Sequence, residues 1–178
     1  YSNPTTSAFE ERLRLIEGAE ACFATATGMA AVFASMACLV RQGSRIVAGR
    51  AMFGSTLLVL DELFTGWGIE TVYVDAHDNA QWADALATPA DVVFFETPSN
   101  PMQDIVDVPE VSRLAHAAGA VVIVDNVFAT PVLQRPLELG ADVVVYSATK
   151  HIDGQGRVMG GAVLGPRDYV TGPLQTFI

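Results

Sequence analysis

The chain has 178 residues, 51% hydrophobic and 17% charged, enough to bury one core as a single domain over residues 1–178. Twenty acidic residues against ten basic ones give a formal charge of -10. Such a surface repels phosphate backbones and anionic lipids, so neither nucleic acid nor a membrane surface is an expected partner. Nine of the ten basic residues are arginine, and Lys150 is the only lysine. A GC-rich coding bias accounts for that count, though not for where the lysine sits.

Taken in order, the chain opens on a helix signal. Asn3-Pro4 reads as a cap and a first turn, with Phe9, Leu13 and Ile16 at helical spacing and a stop at Gly18. Beginning without methionine inside a helix entry, and ending at Phe177-Ile178 without an evident terminal element, the chain is expected to be a piece of a longer polypeptide. Further helices are expected over Gly28–Val40, Gly54–Phe64, Ala80–Leu86 and Pro109–Ala118. Strands are expected at Ile46–Ala48, Thr71–Val74, Val92–Phe95, Val121–Val124, Val143–Tyr146 and Ala162–Leu164. Four of these runs are apolar at almost every position, the pattern of strands covered on both faces. Strand and helix alternate throughout, which predicts one doubly wound α/β domain. Cys22 and Cys38, set among small and apolar residues, read as buried free thiols in a reducing compartment. With no leader pattern and no run of about 18 apolar residues, a cytoplasmic location is expected.

In such a sheet, ligands bind at the C-terminal ends of the strands. The residues that follow the buried runs are Asp75, Glu96, Asp125 and Ser147. The strongest local signal is Asp142 to Gly154, where a buried strand leads into Ser147, Thr149 and the lone Lys150. Read as an extended stretch, it turns both hydroxyls to one side, as donors for an anion beside the amine. A lysine in a desolvated, cation-rich setting has a lowered pKa and forms Schiff bases; a solvated lysine at a sheet edge is the plain alternative.

Asp125 ends the apolar run Val121-Val-Ile-Val, and a carboxylate there requires a cationic partner. A protonated pyridine nitrogen meets that need, and so does magnesium with Asp75 or Glu96 as a second ligand. Spacing alone does not choose between them. Gly28 and Met29 open an Ala-rich helix, where free amides and the helix dipole suit a phosphate. Phe53, ahead of another helix, is either core or an aromatic face. Asn100 lies in a turn-rich strand exit and can donate to a ligand oxygen. An anion cradle, an aromatic plate, a strand-end carboxylate and an amine together match the needs of pyridoxal phosphate.

At these residues the chain resembles the Cys/Met-metabolism family of pyridoxal-phosphate enzymes. Asp142–Gly154 is similar to its lysine signature. Asn3-Pro4-Thr5, Thr27-Gly28-Met29, Glu96 to Pro101 and Asp125 to Pro131 resemble other family blocks in order. The resemblance implies the large cofactor-binding domain of the fold-type I enzymes, with a mostly parallel sheet. It further implies that Lys150 carries the cofactor as a Schiff base and shuttles protons, and that Asp125 holds the pyridinium nitrogen. Gly28, Met29, Ser147 and Thr149 would bind the phosphate, Phe53 would stack on the ring, and Asn100 would lie near the ring hydroxyl. No metal is implied.

Phe53 departs from the family's usual tyrosine, which keeps stacking but removes a phenolic hydrogen bond. The family's Tyr-x-Arg phosphate clamp belongs before Asn3, so Tyr1 is not given that role. The family's C-terminal domain, with an arginine for the substrate carboxylate, is expected outside this sequence. His151 to Arg157 and Phe53-Gly54-Ser55 are most similar to the O-succinylhomoserine sulfhydrylase branch. That branch implies γ-replacement on an O-acylhomoserine with sulfide, giving homocysteine in methionine biosynthesis. Cystathionine synthesis, γ-elimination by a methionine or cystathionine γ-lyase, and a cofactor-binding piece without turnover are the alternatives. A homodimer or homotetramer is expected of the full-length protein.

Overall fold

The structure, a computed structural model, describes residues 3–178; Tyr1 lies outside the described residues. Seven strands form one sheet: β1 (Ala21–Thr25), β2 (Arg45–Gly49), β3 (Glu70–Val74), β4 (Val92–Glu96), β5 (Val121–Asp125), β6 (Val143–Ser147) and β7 (Gly161–Gly165). Their order is β1-β7-β6-β5-β4-β2-β3. β3, β2, β4, β5 and β6 pair in parallel, whereas β7 runs antiparallel to both β6 and β1. The mostly parallel, helix-flanked sheet is the expected architecture, with one strand added. β1 (Ala-Cys-Phe-Ala-Thr) carries two alanines and a short apolar pattern, so its strand character comes from pairing with β7 rather than from local preference.

The five longer helical segments begin near their expected starts. α1 (Pro4–Glu17) is capped by Asn3, whose Oδ1 accepts from the Thr5 amide at 2.9 Å, and it ends at Gly18 with φ 79°. Leu13 is buried as its spacing predicts, but Ile16 is 47% exposed and Glu17 is the buried neighbour. α2 (Gly28–Ala37) starts at the Thr27 cap and stops three residues short of the predicted Val40. α3 (Gly54–Leu58) continues through a wider turn at Val59–Phe64. α4 (Asn79–Ala85) and α5 (Val108–Ala117) are capped by Asp78 and Asp107.

Two apolar layers sandwich the sheet. One joins α2 to Ile46, Phe94, Ile123 and Val143; the other joins α4 and α5 to Val47, Val93, Phe95 and Val122. All five residues of β4 are buried, which is why its sequence does not alternate. Cys22 and Cys38 are free thiols, as read, although only half-buried.

No helix among the described residues is long and apolar enough to cross a membrane.

Candidate functional site

The C-terminal ends of β4, β5 and β6 and the N-terminus of α2 border one cavity of about 480 Å³. Gly28, Met29, Phe53, Asn100, Asp125, Ser147, Thr149 and Lys150 all line it, although 122 positions separate the first from the last. They meet because the parallel strands end on a common edge, and each places its following residue there.

The α2 end is built for close approach. Thr27 Oγ1 accepts from the Ala30 amide at 3.0 Å, leaving the Gly28 and Met29 amides of the first turn without an intrahelical acceptor. A Cβ at position 28 would lie 2.6 Å from Ser147 Cβ and 2.9 Å from its Cα, so only glycine brings these amides against the end of β6. Gly161 serves the same junction from β7, where a Cβ would collide with the Thr27 carbonyl oxygen. These glycines shape a concave donor-lined wall of the kind a phosphate occupies.

Beyond Ser147 the backbone does not stay extended as expected. Ala148–Ile152 coils into a turn kinked at Lys150 (φ -89°, ψ -117°). The reason is local bonding: the Thr149 hydroxyl donates to the Gly160 carbonyl at 3.3 Å and accepts the Gly160 amide at 3.1 Å. Ser147 and Thr149 still line the cavity, with Lys150 beside them.

Asp125 is 7% exposed, and its Oδ1 accepts one hydrogen bond, from the Val127 amide at 3.1 Å. Burial pushes its pKa from the usual 3.8 up to about 7, with that amide opposing the shift. A cationic N–H donor against this carboxyl would restore its charge, the chemistry a pyridinium supplies. Of the two second magnesium ligands considered for Asp125, Glu96 adjoins it across β4 and β5, but Asp75 does not. Asp75 follows β3 at the sheet's edge and binds the His77 amide at 3.2 Å. No group of three or more His, Cys, Asp or Glu side chains among the described residues could hold a metal ion. The glycine-lined cradle at α2, the buried Asp125 carboxyl and Lys150 on one cavity fit pyridoxal phosphate.

Phe53 is not core: it is 43% exposed and borders the cavity. Behind Asp125, Asn126 Nδ2 donates to Tyr146 Oη at 2.7 Å, and Tyr146 Oη donates to Glu17 Oε2 at 2.5 Å. The turn after β5 also holds Thr130 at φ 59°, a strained conformation for a β-branched residue, with its amide bonded to the Asn126 carbonyl at 3.0 Å.

Glu96, read from sequence only as a strand-end carboxylate and a candidate magnesium ligand, and His151, read only within the resemblance, also line the cavity. Glu96 had a visible signal, since it ends an apolar strand as Asp125 does. His151 had only its place after the lysine.

Residues 1–177 match the family of Cys/Met metabolism PLP-dependent enzymes. The chain is 63% identical over 175 residues to an O-succinylhomoserine sulfhydrylase of Mycobacterium tuberculosis, covering 98% of this chain and 43% of that protein. With the enzyme of the same name from Pseudomonas aeruginosa it shares 48% identity over 165 residues, 93% of this chain and 41% of that one. Among solved structures, metB of Corynebacterium glutamicum superposes with a TM-score of 0.94 at 35% identity, covering 98% of this chain and 46% of that one. The chain thus spans less than half the length of each of these relatives.

Proposed function

The chain belongs to the Cys/Met-metabolism family of pyridoxal-phosphate-dependent enzymes, and from that premise we propose that residues 1–178 are the cofactor-binding domain of an O-succinylhomoserine sulfhydrylase. The reaction is γ-replacement: sulfide takes the place of the acyloxy group on the γ-carbon, giving homocysteine. One observation carries the reading, the convergence of eight cofactor-type residues, including the only lysine, on one cavity. The 63% identity to a sulfhydrylase over nearly the whole chain supports the choice of reaction within the family.

In this reading the Gly28 and Met29 amides and the Ser147 and Thr149 hydroxyls hold the phosphate, Phe53 covers one ring face, and Asn100 meets the ring hydroxyl. Asp125 keeps the ring nitrogen protonated, and Lys150 holds the cofactor covalently through Nζ. Bound there, pyridoxal phosphate supplies an electron sink for a substrate carbanion. The Lys150 amine, on the cavity wall, would be the group that takes the substrate's α-proton and moves protons at its β-carbon. The substrate-carboxylate arginine and the phosphate clamp come from outside residues 3–178, the clamp from a partner subunit in a homodimer or homotetramer. A cytoplasmic location goes with such biosynthetic chemistry.

The test uses full-length protein. Pyridoxal phosphate uptake followed by borohydride reduction should leave one covalent adduct, on Lys150, and Lys150→Ala should lower turnover by about 10³-fold. No colour and no adduct at Lys150 would overturn the cofactor assignment. Faster turnover with cysteine than with sulfide would move the protein to cystathionine synthesis, and α-keto acid formation without acceptor would move it to γ-elimination.

A further inference from the structure

Glu96 stands at the end of β4, 4% exposed, and lines the cavity. In the parallel register it is the direct partner of Asp125 on β5, so the two side chains leave neighbouring strands on the same face. Glu96 Oε2 accepts the Phe53 amide at 2.8 Å, a tie across 43 positions of sequence. Phe53 has no other anchor of this kind: it precedes α3 without a side-chain cap, and the residue is 43% exposed. Glu96 therefore connects the segment that presents an aromatic face with the carboxyl at the base of the cavity.

Two carboxylates side by side, away from water, do not both stay ionised cheaply. Burial, then the neighbouring Asp125, pushes the Glu96 pKa up to about 8, and the Phe53 and Asn100 backbone amides only partly offset this. The other titratable side chains on the cavity wall are Lys150 and His151.

We propose that Glu96 is a positioning residue that works as a neutral acid: one oxygen holds the Phe53 amide, and Asp125 remains the only carboxylate offered to the cofactor's ring nitrogen. The inference rests on the cofactor reading above. It separates charge from shape, because glutamine keeps an oxygen that accepts the Phe53 N–H and an amide that can donate toward Asp125, with no charge at any pH. Alanine keeps neither.

The experiment compares full-length wild type, Glu96→Gln and Glu96→Ala by two measurements, with melting curves to establish that each is folded. In cofactor-free protein, hydrogen exchange at the Phe53 amide should be slow in wild type and Glu96→Gln and fast in Glu96→Ala. Pyridoxal phosphate titration, followed by the circular dichroism of its visible band, should give matching affinity and band shape for wild type and Glu96→Gln. Glu96→Ala should lose about tenfold in affinity, the worth of one hydrogen bond to such a group, with an altered band.

Equal affinity and band shape in Glu96→Ala would overturn the positioning role. A loss in Glu96→Gln despite slow exchange at Phe53 would overturn the neutral-acid role, since only charge would then differ. Failure of wild type itself to take up pyridoxal phosphate would overturn the cofactor reading and this inference with it; slow exchange at Phe53 would still record the structural tie.

Discussion

Gly28 does at the residue scale what no other amino acid could do there. Its missing side chain lets the first turn of α2 meet Ser147 at backbone distance, with a would-be Cβ 2.9 Å from the Ser147 Cα. The Ser147 Cβ, at 2.6 Å, and Cα are fixed by the strand backbone and cannot swing aside as the end of a flexible side chain would. Gly28→Ala should therefore push α2 away from β6 and spoil the anion cradle, at a cost of about 1–3 kcal/mol from overpacking. Pyridoxal phosphate affinity should fall by about tenfold or more while the fold survives, as read by titration and far-ultraviolet circular dichroism. Unchanged affinity would show that the cradle does not depend on this contact. Lys150 illustrates the complementary case, a residue whose position in the chain was evident but whose exposure depends on the kink at 148–152.

At the element scale, β4 and β5 are the supports on which the site rests. Each is almost wholly buried and ends in a carboxylate, because layers of helix cover both faces up to the sheet edge. Trp82 of α4 shows how that covering is secured: it is fully buried, its Nε1 donates to the Ala76 carbonyl at 3.2 Å, and its ring meets Phe95 edge-on at 5.8 Å. Phe95 immediately precedes Glu96, so packing on one face of β4 supports a cavity residue on the other. Trp82→Ala should lower stability by about 3–5 kcal/mol, measured by urea unfolding, because a rigid pocket cannot collapse around so large a void. A loss below about 1 kcal/mol would mean that this layer is more plastic than its close packing implies.

At the scale of the whole molecule, three buried carboxyls are held against their ordinary ionisation. Desolvation raises Glu17 to about 7, Glu96 to about 8 and Asp125 to about 7, from ordinary values of 4.5, 4.5 and 3.8. Folded protein thus binds protons that the unfolded chain releases as pH rises above about 4. The contribution of these groups is complete at low pH and is lost as pH rises through their folded values. Glu17 is the one that ties α1 to the sheet, through Tyr146, and its Oε1 is buried without a partner. The urea midpoint of cofactor-free protein should decline between about pH 5 and pH 8, and Glu17→Gln should flatten that decline by on the order of 2 kcal/mol. An identical slope in Glu17→Gln would rule out a share for this residue.

Much of this architecture is determined by the sequence alone. Short β-branched apolar runs without alternation fit strands covered on both sides, and polar residues at the ends of the central runs gather on the edge where parallel strands terminate. That logic, with the lone lysine after two hydroxyls, the helix start at Gly28 and the family resemblance, pointed to eight of the residues that line the cavity. Tertiary structure alone decided the rest. β1 is a strand because β7 pairs with it, not because alanine and cysteine favour strands. Glu17 is buried in place of Ile16 because Tyr146, 129 positions away, offers it a hydrogen bond. Thr149 bends away from extended backbone because Gly160 satisfies its hydroxyl. Glu96 gains its place from a strand register and from a distant amide. Local preference acts through neighbours in the chain, whereas pairing, burial and desolvation depend on atoms that only folding brings together.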